Sequence, residues 1–303
     1  MYFLRRILLL APVLLFISLL SFLLVRLAPG GPFDGERKAS PEIERNLRAK
    51  YHLDESFARQ YLRYLGGLAR GDLGPSLKYR NHSVNDVIRQ ALPVSMTLGF
   101  LAFLFALGLG LPLGFLTAVC RGRWPDHLGN LMALLFVCVP GFVIGPLLLM
   151  VFAVHWRIFP VALWDSPAHA VLPTVALGLY FSGKVARLTR EGLLNILPSE
   201  FITTARAKGL GDGAILFRHA SRLSLLPVVS YAGPMLADLL TGSFVVENIF
   251  QIPGLGVFMV NSSINLDYPM ITGLALLYAA ILLVLNLAAD VLGAWLDPRV
   301  RYD

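Results

Sequence analysis

Ser199-Glu-Phe-Ile-Thr-Thr-Ala-Arg-Ala-Lys-Gly209-Leu-Gly-Asp-Gly-Ala-Ile-Leu-Phe-Arg-His-Ala-Ser-Arg-Leu-Ser-Leu-Leu-Pro227 lies between two apolar segments long enough to cross a bilayer, yet it is patterned like part of a soluble protein. Ser199 followed by Glu200 suits a helix start, and Ile202, Ala205 and Ala207 give that helix a partly apolar, partly basic face. Gly209, Gly211 and Gly213 end it, since glycine enters the left-handed geometry of a helix stop without steric cost. A second basic amphipathic piece follows, with Ile215, Leu216, Ala220 and Leu223 on one side and Arg218, His219 and Arg222 on another. Leu226-Pro227 opens the next apolar helix, with proline in its first turn. The pattern is a helix, a glycine break and a second helix: a basic knob on one membrane face.

The surrounding composition makes that face a membrane surface. The 303 residues are 56% hydrophobic and only 15% charged, against about 25% charged in soluble domains. Six segments, at 7–27, 97–120, 128–154, 169–188, 227–250 and 271–296, approach the length that spans a hydrocarbon core. The expected fold class is an all-α polytopic membrane protein with six transmembrane helices and a helical extracytoplasmic subdomain between spans one and two. Its expected parts are an N-terminal transmembrane helix at 1–28, the subdomain at 29–96 and a five-span core at 97–303, with a cytoplasmic loop at 189–226.

The net charge of +7 is distributed as membrane topology requires. Arg5, Arg6, Arg121, Arg123, Lys184, Arg187, Arg190, Arg206, Lys208, Arg218, Arg222, Arg299 and Arg301 fall at one set of span ends and loops, and the two short loops opposite offer only Arg157. By the positive-inside rule both termini are cytoplasmic, and the charge calls for no nucleic-acid partner. Lys184 and Arg187 read as side chains that snorkel to the cytoplasmic interface. Cys120 and Cys138 have no metal-type spacing and read as two free, buried thiols.

Along 29–96, Ser40-Pro41 starts a helix with Ile43, Leu47 and Tyr51 on one face. A second, from about Asp54 to Ala69, aligns Phe57, Tyr61, Tyr64, Leu65 and Leu68. Ser83-Val-Asn-Asp86 fits a capping box ahead of span two. Gly110-x-x-x-Gly114 and Gly141-x-x-x-Gly145 suit close helix packing, and Pro112, Pro140 and Pro146 suit kinks. Asp238, one turn from Pro234 in span five, is the intramembrane acid placed to line a polar cavity or to bond between helices; Glu247 and Asp290 lie near span ends. Gln251-Ile-Pro253-Gly254-Leu-Gly256 breaks the chain sharply after span five. Gly178-x-x-x-x-Gly183-Lys184 has P-loop spacing, but Val185 replaces the hydroxyl residue and the run sits inside a helix, which excludes a phosphate cradle. Neither a metal cluster nor a nucleophile elbow appears in the sequence, so catalysis by this chain is not expected.

The knob resembles the cytoplasmic coupling loop of ABC-importer permeases, with Thr203-Thr204-Ala205 where the generic motif has Glu-Ala-Ala, Gly209 as the matching glycine and Leu226-Pro227 closing it. Thr-Ala-Arg-Ala-Lys-Gly-Leu, Arg-His-Ala and Leu-Leu-Pro-Val, together with Leu-Ala-Pro-Gly at 27–30 and the 246–256 segment, are similar to the oligopeptide/dipeptide branch of that family. The resemblance implies a type I importer permease fold and half of a peptide pathway in the bacterial inner membrane. It further implies a second homologous permease subunit, two cytoplasmic ATPase subunits holding ATP and Mg, and an extracytoplasmic peptide-binding protein. Glu200, Thr203, Thr204, Ala205, Arg206, Ala207, Lys208 and Gly209 would then meet an ATPase, Asp238 and Pro234 would line the path, and Pro253, Gly254 and Gly256 would lie toward the outer gate. Dipeptide, nickel-chelate and antimicrobial-peptide permeases share the same loop. An ion-coupled secondary transporter is the reading from a different class.

Overall fold

The structure, a computed structural model, describes residues 2–29, 31, 41–79, 81–241 and 244–296. Among these, the order is α1 (Tyr2–Leu27), α2 (Pro41–Lys50), α3 (Phe57–Leu68), α4 (Val84–Val119), α5 (Trp124–Cys138), α6 (Gly141–Leu148) running on as a π-helix (Leu149–His155), and α7 (Pro167–Ile196). There follow α8 (Glu200–Ala207), α9 (Asp212–Ala214), a second π-helical stretch (Ile215–Ala220), α10 (Ser221–Ser224), α11 (Leu226–Thr241), α12 (Phe244–Ile249), α13 (Leu255–Ile264) and α14 (Tyr268–Leu296). Gly30 of the Leu-Ala-Pro-Gly run, and Arg299 and Arg301, lie outside the described residues.

Four helices of the described residues are long and apolar enough to cross a membrane, at Leu8–Leu27, Val84–Val119, Leu226–Ile249 and Tyr268–Ala289. A fifth span results if Trp124–Cys138 and Gly141–His155 are taken together, although they meet at 101°. Pro140 stands at that corner, so the kink foreseen from proline is a sharp break. The segment read as span four is α7, whose 30 residues are long enough but include Lys184, Arg187, Arg190 and Glu191. Thirteen of its residues are buried, so protein rather than lipid surrounds much of it, and small and polar residues such as Gly178, Ser182, Gly183 and Thr189 serve where lipid contact would demand leucine.

The compact units are not contiguous in sequence. One comprises 1–95 and 253–283, the other 96–252 and 284–303. In the first, Val84, Val87 and Ala91 of α4 pack with Leu255 of α13 and with Met270 and Leu274 of α14. The Ser83–Asp86 box forms as expected, the carboxylate accepting from the Ser83 amide at 3.0 Å and hydroxyl at 2.7 Å. The helix it starts does not pause before span two: α4 runs unbroken for 36 residues. Phe22 of α1 meets the rings of Phe57, Tyr61 and Tyr64 of α3 at 5.3, 5.2 and 5.7 Å, which is the use of the aromatic stripe.

In the second unit Ala102 and Ala106 of α4, Phe181 and Val185 of α7, and Val228, Met235 and Leu239 of α11 form the core. Glycines set the helix spacing. A Cβ on Gly110 would stand 2.7 Å from the Ser182 carbonyl, and one on Gly114 2.5 Å from that of Ala186, so α4 and α7 touch backbone to backbone. The second small-residue pair does less, because a Cβ on Gly141 or Gly145 meets nothing closer than 3.4 Å. Both cysteines are free, but neither is buried as expected: Cys120 is partly exposed and Cys138 exposed; apolar neighbours in a membrane helix mark lipid-facing surface as readily as core.

Candidate functional site

The knob is built much as its sequence reads, with two local differences. Ser199 sits at the start of α8 in extended geometry, yet its hydroxyl donates backward to the Ile196 carbonyl at 2.6 Å instead of capping the new helix. At the other end Gly209 takes φ +80°, and the amides of Gly209 and Leu210 donate to Arg206 (2.9 Å) and Ala205 (3.3 Å), closing the last turn. Gly211 instead has φ −68° and Gly213 lies within α9, so only Gly209 of the three uses the left-handed region.

The helix divides cleanly between two faces. Ile202 is fully buried and Ala205 nearly so, in a cluster with Ala118, Leu193, Ile215 and Ala220. Thr203, Thr204, Arg206, Ala207, Lys208 and Gly209 are exposed, flanked by Phe201 and Leu210. The Thr203 and Thr204 hydroxyls bond back to the Ser199 and Glu200 carbonyls at 3.3 and 2.9 Å, leaving Glu200, Arg206 and Lys208 as the outward-reaching groups. Arg206 lies 4.0 Å from Asp212, an exposed pair that adds little. Ala205 therefore belongs to the seat of the helix and not to its outer surface.

The second piece departs from a 3.6-residue reading. Its π-helical turns bring Ile215 and Ala220, five apart, to the inside together with Ser224, while Leu223 is exposed. Phe217, 71% exposed, leans on Phe115 with ring centroids 6.0 Å apart. The knob is locked to α7 where a Cβ on Gly192 would lie 2.0 Å from the Ser224 carbonyl. Nearby, Arg190 of α7 grips Asp126 of α5 through two hydrogen bonds of 3.0 and 3.1 Å. Asp126 is buried and also accepts from the Gly122 amide at 2.9 Å. Sequence reading missed this clamp, because its partners are 64 positions apart and each alone looks like an ordinary interface charge.

The intramembrane residues scatter. Asp238 and Pro234 lie on an exposed stripe of α11 with Pro227 and Ser230, opposite the buried Val228, Met235 and Leu239. The Lys184 ammonium sits 4.4 Å from the Tyr180 ring and 5.7 Å from that of Tyr231. Glu247 is fully buried in α12, whereas the Asp290 side chain lies outside the described residues. In the P-loop look-alike, a Cβ on Gly178 or Gly183 would be 2.9 and 2.5 Å from the carbonyls of Ala102 and Ala133, so those glycines make helix contacts and leave no phosphate cradle. The break after α12 is sharp because Gln251 takes φ +50° and the Ile252 amide returns to the Glu247 carbonyl at 2.8 Å. Pro253 there is exposed, while Gly254 and Gly256 are buried.

Comparison with known proteins identifies the company this arrangement keeps. The family model described as "binding-protein-dependent transport system inner membrane component" matches residues 110–302. The chain is 43% identical over 304 aligned positions to the oligopeptide transport system permease protein OppB of Salmonella typhimurium, covering 99% of each. It is 40% identical over 300 positions to the dipeptide transport system permease protein DppB of Bacillus subtilis, covering 99% of this chain and 97% of that one. Among solved structures it is similar to a chain of the inward-facing MetNI methionine ABC transporter, with a TM-score of 0.60 and 18% identity over 70% of this chain and 96% of that one. At that identity the likeness speaks to fold.

Proposed function

The chain belongs to the binding-protein-dependent transport system inner membrane components, and from that premise we propose that it forms half of an ATP-driven import path for oligopeptides across the bacterial inner membrane. A second homologous permease subunit supplies the other half. Two cytoplasmic ATPase subunits bind ATP and Mg, and an extracytoplasmic peptide-binding protein delivers cargo to the side bearing 29–96. Both termini are cytoplasmic.

The observation that carries this reading is the two-faced α8. Its inner face is seated by Ile202 and Ala205, and its outer face presents Glu200, Thr203, Thr204, Arg206, Ala207, Lys208 and the Gly209 turn to a partner. An ATPase groove that receives the outer face displaces the knob as a body, and the backbone contact at Gly192 passes the displacement to α7. The bundle is the two-state element, and nucleotide must favour one state over the other to drive the cycle. Asp238 and Pro234 line the path where this chain meets its counterpart, since a carboxylate on an exposed intramembrane stripe is costly against lipid. Pro253, Gly254 and Gly256 shape the outer gate.

The test is charge reversal at Arg206 and Lys208 (R206E/K208E) in the assembled importer. Peptide uptake should fall more than about tenfold, with the chain still present in the membrane at its usual level, because only the contact free energy between the subunits has changed. Unchanged uptake in that variant would refute the coupling role. Cargo is a separate question: the Bacillus relative is a dipeptide permease, so a competition between dipeptides and longer peptides decides between the two cargo lengths.

A further inference from the structure

A cavity of about 520 Å³ opens in the unit formed by 1–95 and 253–283, lined by the end of α1, by α3, by the turns around 71–77 and by the start of α14. Its size suits a small ligand or a lipid headgroup. Among the described residues the charged lining is strongly basic: Arg26, Lys50, Arg63 and Arg70 against Asp72. Arg63 is answered by Glu55, 2.6 Å away. Arg26 is not answered in kind. Its Nε and Nη2 share the Gln60 side-chain oxygen at 3.1 and 2.8 Å, its Nη1 reaches the Phe22 carbonyl at 3.3 Å, and its guanidinium lies 3.5 Å over the Phe22 ring.

Every one of those partners is neutral, and no carboxylate of the described residues lies within ion-pair distance of Arg26. Gln60 is held in place for the task, its amide donating to the Leu53 and Glu55 carbonyls at 3.2 and 2.8 Å, which turns its oxygen toward Arg26. A half-buried cation surrounded by neutral groups is costly until an anion arrives. The hydroxyl of Tyr64, a residue of the same cavity's lining, is buried without a hydrogen-bond partner. Burial pushes its pKa up to about 12, so at neutral pH it keeps its proton to donate. Lys50 and Arg70 stand exposed at the rim.

The cavity also has a defined depth. Arg26 is in the last turn of α1, and Tyr268 and Thr272 are in the first turns of α14, two helices of membrane-spanning length and apolarity. Span ends are where headgroup phosphates lie. We propose that this cavity binds a phosphate-bearing anion, supplied at this depth by the headgroup of an acidic phospholipid, with Arg26 and the Tyr64 hydroxyl inside and Lys50 and Arg70 at the mouth. Guanidinium and ammonium groups grip phosphate oxygens through charge-assisted hydrogen bonds, and interfacial basic residues favour acidic over neutral lipid.

The experiment uses the full-length chain, purified from membranes in an uncharged detergent, stripped of lipid and titrated with phosphatidylglycerol or phosphatidylcholine while native mass spectrometry counts bound lipid. The wild type should retain phosphatidylglycerol and not phosphatidylcholine. Lys50→Gln with Arg70→Gln should weaken that retention about tenfold, and Tyr64→Phe severalfold, with thermal midpoints matching the wild type. Displacement of the lipid by millimolar inorganic phosphate would keep the anion site and overturn the lipid as its source. Equal retention of the two lipids, or unchanged phosphatidylglycerol retention in both well-folded variants, would overturn the site.

Discussion

The knob at 197–226 and the turn-rich stretch at 69–83 both stand outside the runs of apolar helix, and opposite chemistries hold them. Under the knob the contacts are apolar: Ile202, Ala205, Ile215 and Ala220 against Ala118 and Leu193, with Gly192 admitting a backbone. The 69–83 stretch is tied by directional polar bonds. The fully buried carboxylate of Asp267 accepts from the Ser76 hydroxyl at 2.5 Å and from the Leu77 and Lys78 amides at 3.1 and 3.2 Å. Asn85 bridges the Leu73 amide and the Gly71 carbonyl at 2.9 and 2.6 Å. Apolar contact is non-directional and lets a small body move as a unit; hydrogen bonds to a buried carboxylate fix each atom they touch. A segment read as a lever is seated the first way, and a loop that shapes a surface is pinned the second.

That contrast breaks first at Gly192. Gly192→Val places a side chain where the Ser224 carbonyl already stands, and should cost about 3 kcal/mol or more; membrane level by immunoblot and thermal unfolding of any purified protein would register it. A strongly temperature-stable Gly192→Val protein would mean that α7 and the knob do not touch as described.

Ala205→Glu comes next. It puts a carboxylate into the seat and should cost about 3 kcal/mol, whereas Ala207→Glu, on the exposed face, should change stability by less than about 0.5 kcal/mol while still impairing ATP-driven uptake. Equal melting points for the two would erase the distinction between seat and outer face. On the polar side, Asp267→Ala strips the Ser76 hydroxyl and two amides of their acceptor and should cost about 2–3 kcal/mol. Faster proteolytic nicking within 76–80 is the readout, and an unchanged cleavage rate would count against pinning by Asp267.

The smallest effect sharpens the glycine assignments. Gly209→Ala, at φ +80°, should cost about 1 kcal/mol. Gly213→Ala, inside α9 with open space around it, should be neutral or slightly stabilising. Thermal midpoints of the two variants separate these outcomes.

Much of this was legible because membrane proteins advertise their solvent. Runs such as Ile7–Val25 and 271–296 are apolar on all sides, and that alone places them in lipid. The capping box at Ser83 was readable for the same reason that it works, since both partners lie within one turn. Hydropathy nevertheless suggested that span two starts near residue 97, because Arg89 and Gln90 lower the average; they interrupt apolarity and not the helix, which runs from Val84. A 3.6-residue period puts Leu223 inward, but the π-helical turns at Ile215–Ala220 do not keep that period and Leu223 is exposed.

The amino-acid order by itself determined the membrane setting, the all-helical class, the position of the knob and its stop at Gly209, because each depends on composition or on neighbours a few residues apart. Only the tertiary structure decided that Ala205 faces inward, that Glu247 is buried, that Lys184 rests against two tyrosine rings, that Asp126 and Arg190 clasp, and that Arg26 faces a cavity while its hydrogen-bond partners among the described residues are neutral. Those outcomes depend on which distant backbone segments come within a few ångströms. No local pattern records that distance, and it is the distance that sets what a charge or a small side chain can do.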